Sequence, residues 1–276
     1  MSSETIYEVA EAIAPTFERR RAEVEDLSAP VREWLLRRLA PRRGDFVLEL
    51  AAGIGDTGFD AAALVGERGR LISSDFSPAM VDAARRRGAE RGVENAEYRV
   101  IDAERIELDD GSVDGVLCRF GYMLMADPAA ALAETRRVLR PGGRLALAVW
   151  GAPERNPFVT ILALTLMQRG HLPPVEPPPA PGPFSMASAE RTTGLLRSAG
   201  FVDVRTEEVP VGLAVPDVDE YISLIADTAG PIALALRSLS DADRADVRAE
   251  VEDSLGRFTA GDGYQLPGVA MCALAK

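Results

Sequence analysis

The chain has 276 residues and a mass of 29.6 kDa, enough for one core with an appended cap, since a chain of this size buries roughly three quarters of its extended surface. Its net charge of −12 and pI near 4.8 speak against nucleic acid as a partner, because phosphate contacts supply most non-specific affinity there. Two cysteines give neither a disulfide framework nor a metal signature. The longest apolar run, residues 158–167, is too short to span a bilayer. The first residues lack the basic and apolar regions of a signal peptide, so a cytoplasmic protein bound to neither metal nor membrane is expected.

Residues 4–40 read as two or three helices, broken at Pro15 and again at Ser28-Ala-Pro30, with Trp34, Leu35, Leu36 and Leu39 as an apolar face. Residues 46–50 are a short buried strand carrying Glu49. The chain then breaks into Gly53-Ile-Gly55 and restarts as a helix, with Asp56 as its N-cap. A second strand, 70–74, ends at Asp75, and Ser77-Pro78 is a strong helix start. The third strand, 96–101, ends at Asp102-Ala-Glu104. The fourth, 113–118, leads into Arg119-Phe-Gly-Tyr122. Asp127-Pro128 opens another helix, which stops at Arg140-Pro-Gly-Gly143 before a fifth strand at 144–150. The triplets at 19–21 and 85–87 are arginine, but acids surround them, so both read as solvated helix faces.

Strands alternating with helices predict βαβ units and an α/β, doubly wound, Rossmann-like sheet. The alternation ends after the fifth strand. A helix at 156–170 precedes residues 172–183, which hold seven prolines and read as a stiff loop over a pocket rather than as a partner-domain ligand at Pro174 to Pro177. A helix at 186–199, a sixth strand at 201–209, helical residues 217–258 and a closing strand at 268–275 complete the chain. The expected organisation is a single domain, 1–276, with an N-terminal helical cover, 1–40, and two cap insertions, 151–185 and 210–262. These segments are expected to gather Phe17, Trp34, Trp150, Phe158, Phe184 and Tyr221 at one end of the sheet, as a pocket for a flat or greasy small molecule.

Glycines at a strand-to-helix turn let a ligand approach the backbone closely. Gly53-x-Gly55-x-x-Gly58, with Asp75 about 20 residues further on, satisfies the dinucleotide fingerprint, so an NAD(P)-dependent oxidoreductase is one reading. Acids at three successive strand ends, Glu49, Asp75 and Asp102, point elsewhere. Glu49 stands before the glycines, where a cationic group suits it better than a pyrophosphate.

The stretch around Glu49, Ala51, Gly53 and Gly55 resembles motif I of the class I S-adenosylmethionine-dependent methyltransferases, with Ala51 where a first glycine is common. The run from Leu71 through Asp75 and Phe76 to Met80 resembles their motif II. Asp102-Ala-Glu104 through Asp114, the segment from Arg137 to Gly143, and Pro183, Phe184, Leu196 and Gly200-Phe201 are similar, in order, to the ubiquinone/menaquinone-methyltransferase-like group of small-molecule enzymes. The resemblance implies a seven-stranded sheet, mostly parallel, whose last strand is antiparallel. It also implies S-adenosylmethionine as cofactor and methyl transfer to a small molecule. Glu49, Ala51, Gly53, Gly55, Asp75, Phe76, Met80, Asp102, Ala103, Glu104, Cys118 and Arg119 would hold the cofactor: Asp75 on the ribose hydroxyls, Asp102 and Ala103 at the adenine amino group, Glu49 near the methionine ammonium. Tyr122 and His171, the one histidine, are candidates for the substrate pocket, with His171 a candidate base. Neither metal nor nucleic acid is expected, and a homodimer is compatible with the sequence. A protein that binds S-adenosylmethionine without methylating is the remaining alternative.

Overall fold

The computed structural model describes residues 11, 14–174 and 180–276, so residues 175–179 of the expected proline-rich loop and part of the N-terminal cover lie outside the described residues. Strands β1 (Phe46–Leu50), β2 (Arg70–Asp75), β3 (Ala96–Val100), β4 (Val113–Arg119) and β5 (Leu139–Trp150) pair in parallel. Strand β6 (Arg205–Val215) lies at the far edge, and β8 (Gly263–Ala275) runs antiparallel between β5 and β6. The order is β3-β2-β1-β4-β5-β8-β6, with the two-residue β7 (Thr259–Ala260) paired to the start of β8. This is the seven-stranded, doubly wound sheet expected, with its late strand reversed.

Alternate residues of the central strands serve two cores. Val47, Leu71, Leu117 and Ala146 face α1 (Arg21–Leu39), α2 (Asp56–Val65), α5 (Pro157–Gln168), and the helices α7 (Val218–Thr228), α8 (Gly230–Arg237) and α9 (Asp241–Leu255). Leu48, Ile72, Val116 and Leu147 face α4 (Pro128–Val138) and α6 (Ala189–Ser198). Helix α3 (Pro78–Glu90) joins the first face through Ala84. Burial on both faces explains why these strands read as continuous apolar runs.

Several boundaries differ from the sequence expectation, each for a physical reason. Helix α1 runs unbroken through Pro30. An interior proline costs a helix about 3 kcal/mol, which is offset by burying Val31, Trp34, Leu35 and Leu39 against the sheet. The sixth strand starts at Arg205 and runs to Val215, because β8 begins at Gly263 and offers it a partner over its whole length; the segment joining them therefore starts at Pro216, not at 210. Asp56 is not the N-cap of α2. Gly55 holds that position, and the carboxyl of Asp56 goes to Arg87 instead. Ser77 and Asp127 do cap their helices, accepting from Met80 N at 3.2 Å and from Ala129 N at 3.0 Å.

The first described residues tie the outer helices to the sheet's carboxyl end. Residues 14–19 are helical. Ala14 packs with Ile54 of the glycine turn and Met80 of α3, while Thr16 Oγ1 donates to the Asp227 carbonyl at 2.6 Å. Arg20 meets Asp227 at 2.8 Å, Glu220 at 2.6 Å and the Ser223 hydroxyl at 2.6 Å, all on α7. Among the described residues no helix is long and apolar enough to cross a membrane.

Candidate functional site

Strand order reverses between β1 and β4, which leaves a crevice at their carboxyl ends, where open α/β sheets bind ligands. The chain leaving β1 turns there through three left-handed residues, Ala51 (φ 50°), Gly53 (φ 55°) and Gly55 (φ 89°). A Cβ on Gly55 would lie 2.5 Å from the Phe59 ring, so the turn needs glycine there. A Cβ on Gly53 would meet nothing within 4 Å, so open space lies before that backbone. Ala52 N donates to the Ser74 carbonyl at 2.9 Å, and Gly53 N to Asp75 Oδ2 at 2.9 Å. Asp75 also accepts from Ser77 N at 3.1 Å. Burial pushes its pKa up and these backbone donors pull against it.

Glu49 does not face solvent. It is 3% exposed, and accepts from Gly58 N at 2.8 Å and from the Ser73 hydroxyl at 3.3 Å. Burial pushes its carboxyl up to about 8, with Arg119 and the Gly58 amide opposing. Asp56 is buried beside it and clamped by Arg87, whose Nε lies 2.6 Å away, while Arg87 Nη2 reaches Glu25 of α1 at 2.7 Å. Burial and then the Glu25 carboxyl push Asp56 up to about 6. The triplet at 85–87 is thus not wholly a solvated face: its third member is a buried brace between α1, α2 and α3.

At the third strand end, Asp102 is exposed and Ala103 buried, and Asp102 Oδ1 accepts from Glu104 N at 2.9 Å. Glu104 spends one carboxylate oxygen on Asp127 N at 2.9 Å, ahead of α4. Cys118 is fully buried, and burial pushes its thiol up to about 12. Arg119 is half-buried and donates to the Ser28 hydroxyl of α1. Phe120 then adopts φ 60°. Its amide donates to the Ala148 carbonyl at 2.7 Å, and its ring stacks on Trp150 with centroids 3.9 Å apart. Phe158 also meets Trp150, edge-on, with centroids 5.3 Å apart.

Two expected pocket residues are not brought to this crevice. Tyr122 is completely buried and shares a 2.6 Å hydrogen bond with Thr135 of α4, so it belongs to the core on the opposite face. His171 follows α5, a helix about 18 Å long that leads away from the β5 end. Its Nε2 lies 3.9 Å from Asp243 in the first turn of α9. The six aromatics gather only in part: Phe158 lies against Trp150 and takes the Tyr221 hydroxyl on its carbonyl at 3.0 Å, whereas Trp34 is held at β6 by Glu207 at 2.9 Å and Phe17 packs with Ala14 and Met80. Phe120, which sequence reasoning passed over, joins Trp150 and Phe158. The one hint was Gly121 after it, where a Cβ would lie 2.5 Å from that of Ala51. Among the described residues no group of three or more His, Cys, Asp or Glu side chains could hold a metal.

Nicotinamide-binding sheets continue past the fifth strand with a sixth beside it. Here the neighbour of β5 is instead the late, reversed β8, the arrangement that the methyltransferase resemblance implies and that a dinucleotide-binding sheet lacks. Residues 28–164 match the ubiE/COQ5 methyltransferase family. A demethylmenaquinone methyltransferase of Clavibacter sepedonicus is 31% identical over 194 residues, 64% of this chain and 74% of that protein. A ubiquinone/menaquinone biosynthesis C-methyltransferase of Francisella philomiragia is 36% identical over 113 residues, 41% of this chain and 45% of that one. Among solved structures, a SAM-dependent methyltransferase from Aquifex aeolicus is similar with a TM-score of 0.51 and 25% identity, covering 67% of this chain and 86% of that one. The chain belongs to the ubiE/COQ5 methyltransferase family. It is an enzyme that transfers a methyl group from S-adenosylmethionine to a small molecule.

Proposed function

We propose that the methyl acceptor is a flat, apolar or aromatic molecule, and that it lies on the Phe120–Trp150 stack beside a cofactor cradled along the ends of β1 to β4. The observation that carries this reading is Phe120. A left-handed backbone at a bulky residue costs about 1–2 kcal/mol, and here it holds a ring flat on Trp150 at a strand end, 3.9 Å away. Aromatic faces take up planar ligands by offset stacking.

The residues present fit S-adenosylmethionine. The open backbone at Gly53 admits a ligand. Asp75 accepts from the backbone amides of Gly53, Ser77 and Phe76 and keeps a lone pair that would take a ribose hydroxyl. Asp102 would offer adenine an exposed acceptor and Ala103 an apolar neighbour; Phe76 and Met80 would flank the ribose side and Ala51 and Arg119 the methionine side, with the buried Cys118 packing beneath them. Glu104, tied to Asp127 N, acts by holding the loop. When bound, the cofactor supplies an electrophilic methyl group on a sulfonium. The chain's contribution is alignment and exclusion of water by Phe120, Trp150 and Phe158. The helices of residues 151–185 and 216–262, with the N-terminal segment tied to α7 by Arg20, would cover the pair. An acidic protein acting in the cytoplasm on free small molecules is consistent with this site.

Two measurements test the reading. Calorimetry should show S-adenosylmethionine and its demethylated product binding, and NAD not binding; Asp75→Ala should weaken the product by about ten-fold or more, for the loss of charge-assisted hydrogen bonds. With Trp34→Phe leaving Trp150 as the one indole, planar aromatics such as naphthols should quench its fluorescence in the product-loaded enzyme. An unquenched signal across such a panel would refute the platform.

A further inference from the structure

Strand β5 ends at Trp150, but the chain stays tied to its neighbour strand for one residue more: Gly151 N donates to the Val269 carbonyl of β8 at 2.9 Å. A 3-10 turn, Pro153–Arg155, then brings the chain back to Asn156, which stands before Pro157 and α5. Asparagine ahead of a proline at the first helical position is a preferred helix cap, because its side-chain oxygen accepts from the first free amides. Among the described residues Asn156 makes no such bond. It is completely buried, and its carboxamide serves other chains. Nδ2 donates to the Gly151 carbonyl at 3.2 Å and to the Ala152 carbonyl at 3.0 Å, while Oδ1 accepts from Val269 N at 2.9 Å. Both amide protons and the oxygen are thus spent on the exit from β5 and on β8.

The segments joined here carry two of the three rings at the sheet's end. Trp150 lies one residue before Gly151, and Phe158 two residues after Asn156. Strand β8 makes room for the second ring: a Cβ on Gly268 would lie 2.3 Å from the Phe158 ring and 3.1 Å from Asn156 Oδ1, so only glycine lets Phe158 sit where it does. Phe158 is buried there and meets Trp150 at 82° between ring planes. Apolar packing is non-directional, whereas a buried and fully satisfied amide specifies one arrangement of the chains that it joins.

We propose that Asn156 is a positioning residue for the methyl acceptor. By tying the end of β5 to β8 and to the start of α5, it fixes the tilt of Phe158 against Trp150, and with it the attitude of the indole that a planar acceptor meets. Being buried, Asn156 acts through these two rings and not by contact with the acceptor. The inference rests on the aromatic platform proposed above.

The test uses the full chain carrying Trp34→Phe and loaded with S-adenosylhomocysteine, the demethylated cofactor. The probe is 1-naphthol, read by quenching of Trp150. Asn156→Ser cuts the tie to β8 but keeps a hydroxyl that can cap α5, so the start of the helix survives. It should weaken 1-naphthol by about ten-fold and shift the Trp150 emission before 1-naphthol is added. Calorimetry should show S-adenosylhomocysteine, held along β1 to β4, binding as it binds the parent. Gly268→Ala leaves the donors and acceptors around Asn156 in place and puts a methyl group against the Phe158 ring. It should show the same selectivity, and the same outcomes are read from it if Asn156→Ser fails to fold. If 1-naphthol binds the variant as tightly as the parent, or if it and S-adenosylhomocysteine weaken by the same factor, Asn156 only holds the fold together, and the proposal is overturned while the platform stands. If 1-naphthol fails to quench the parent, the platform falls and this inference with it.

Discussion

Replacing Glu49 by glutamine should change how stability depends on pH, and by an amount that the structure sets. The carboxyl is 3% exposed, and burial first of all lifts its pKa from 4.5 to about 8. Between those values the folded protein holds a proton that the unfolded chain has released. The stabilisation is fully present below 4.5 and is lost as pH rises to about 8. At about 1.4 kcal/mol per pH unit the loss is on the order of 4–5 kcal/mol, a large part of the 5–15 kcal/mol typical of a domain. Glutamine keeps an acceptor oxygen for Gly58 N, and its amide nitrogen donates to Ser73 Oγ in place of the bond that Glu49 accepts from that hydroxyl. Urea unfolding of both proteins from pH 5 to 9 should give similar midpoints at pH 5 and a widening advantage for Glu49→Gln up to pH 8. Asp56, raised to about 6, tilts both curves alike, so the difference between them isolates Glu49. A difference that stays constant from pH 5 to 9 would mean that Glu49 is already ionised in the folded protein.

Tyr122→Phe should cost about 0.5–1.5 kcal/mol in urea unfolding, for one buried hydrogen bond to Thr135 whose hydroxyl keeps its other bond to the Ala131 carbonyl; product affinity should not change, and a drop would return Tyr122 to the ligand. His171→Gln should leave the pH profile of methyl transfer unaltered from pH 6 to 9, since the imidazole sits by Asp243 rather than in the crevice, and loss of the acidic limb would identify His171 as the base after all.

Much of the frame was legible because local signals agreed with one another. Ser77-Pro78 and Asp127-Pro128 announce helix starts through chemistry confined to four residues, and Asp75 closes β2 while Glu49 and Asp102 lie within two residues of the ends of β1 and β3. What was illegible depended on partners far away in sequence. Pro30 should end a helix, but the apolar face of α1 keeps it intact. Arg87 looks like its exposed neighbours at 85 and 86 until Asp56 and Glu25 arrive from two other helices. Tyr122 and His171 follow a strand end and a helix respectively, and only the direction of the chain afterwards shows that neither returns to the crevice. Phe120 had no signal of its own, because its left-handed backbone is set by the Ala148 carbonyl and the Trp150 ring.

The position of β8 has a consequence for how the chain comes to be folded. Residues 263–275 pair with β5 on one side and with β6 on the other. During synthesis, everything from Phe46 to Val215 leaves the ribosome before the strand that joins its two parts exists. Until then β5 and β6 each present an open row of backbone donors and acceptors, an invitation to pair with another chain. The edge of β5 is apolar, and that of β6 carries Glu207, Glu208 and Pro210, residues that discourage such pairing. The acidic, proline-bearing β6 therefore protects the nascent protein as well as finishing the mature sheet.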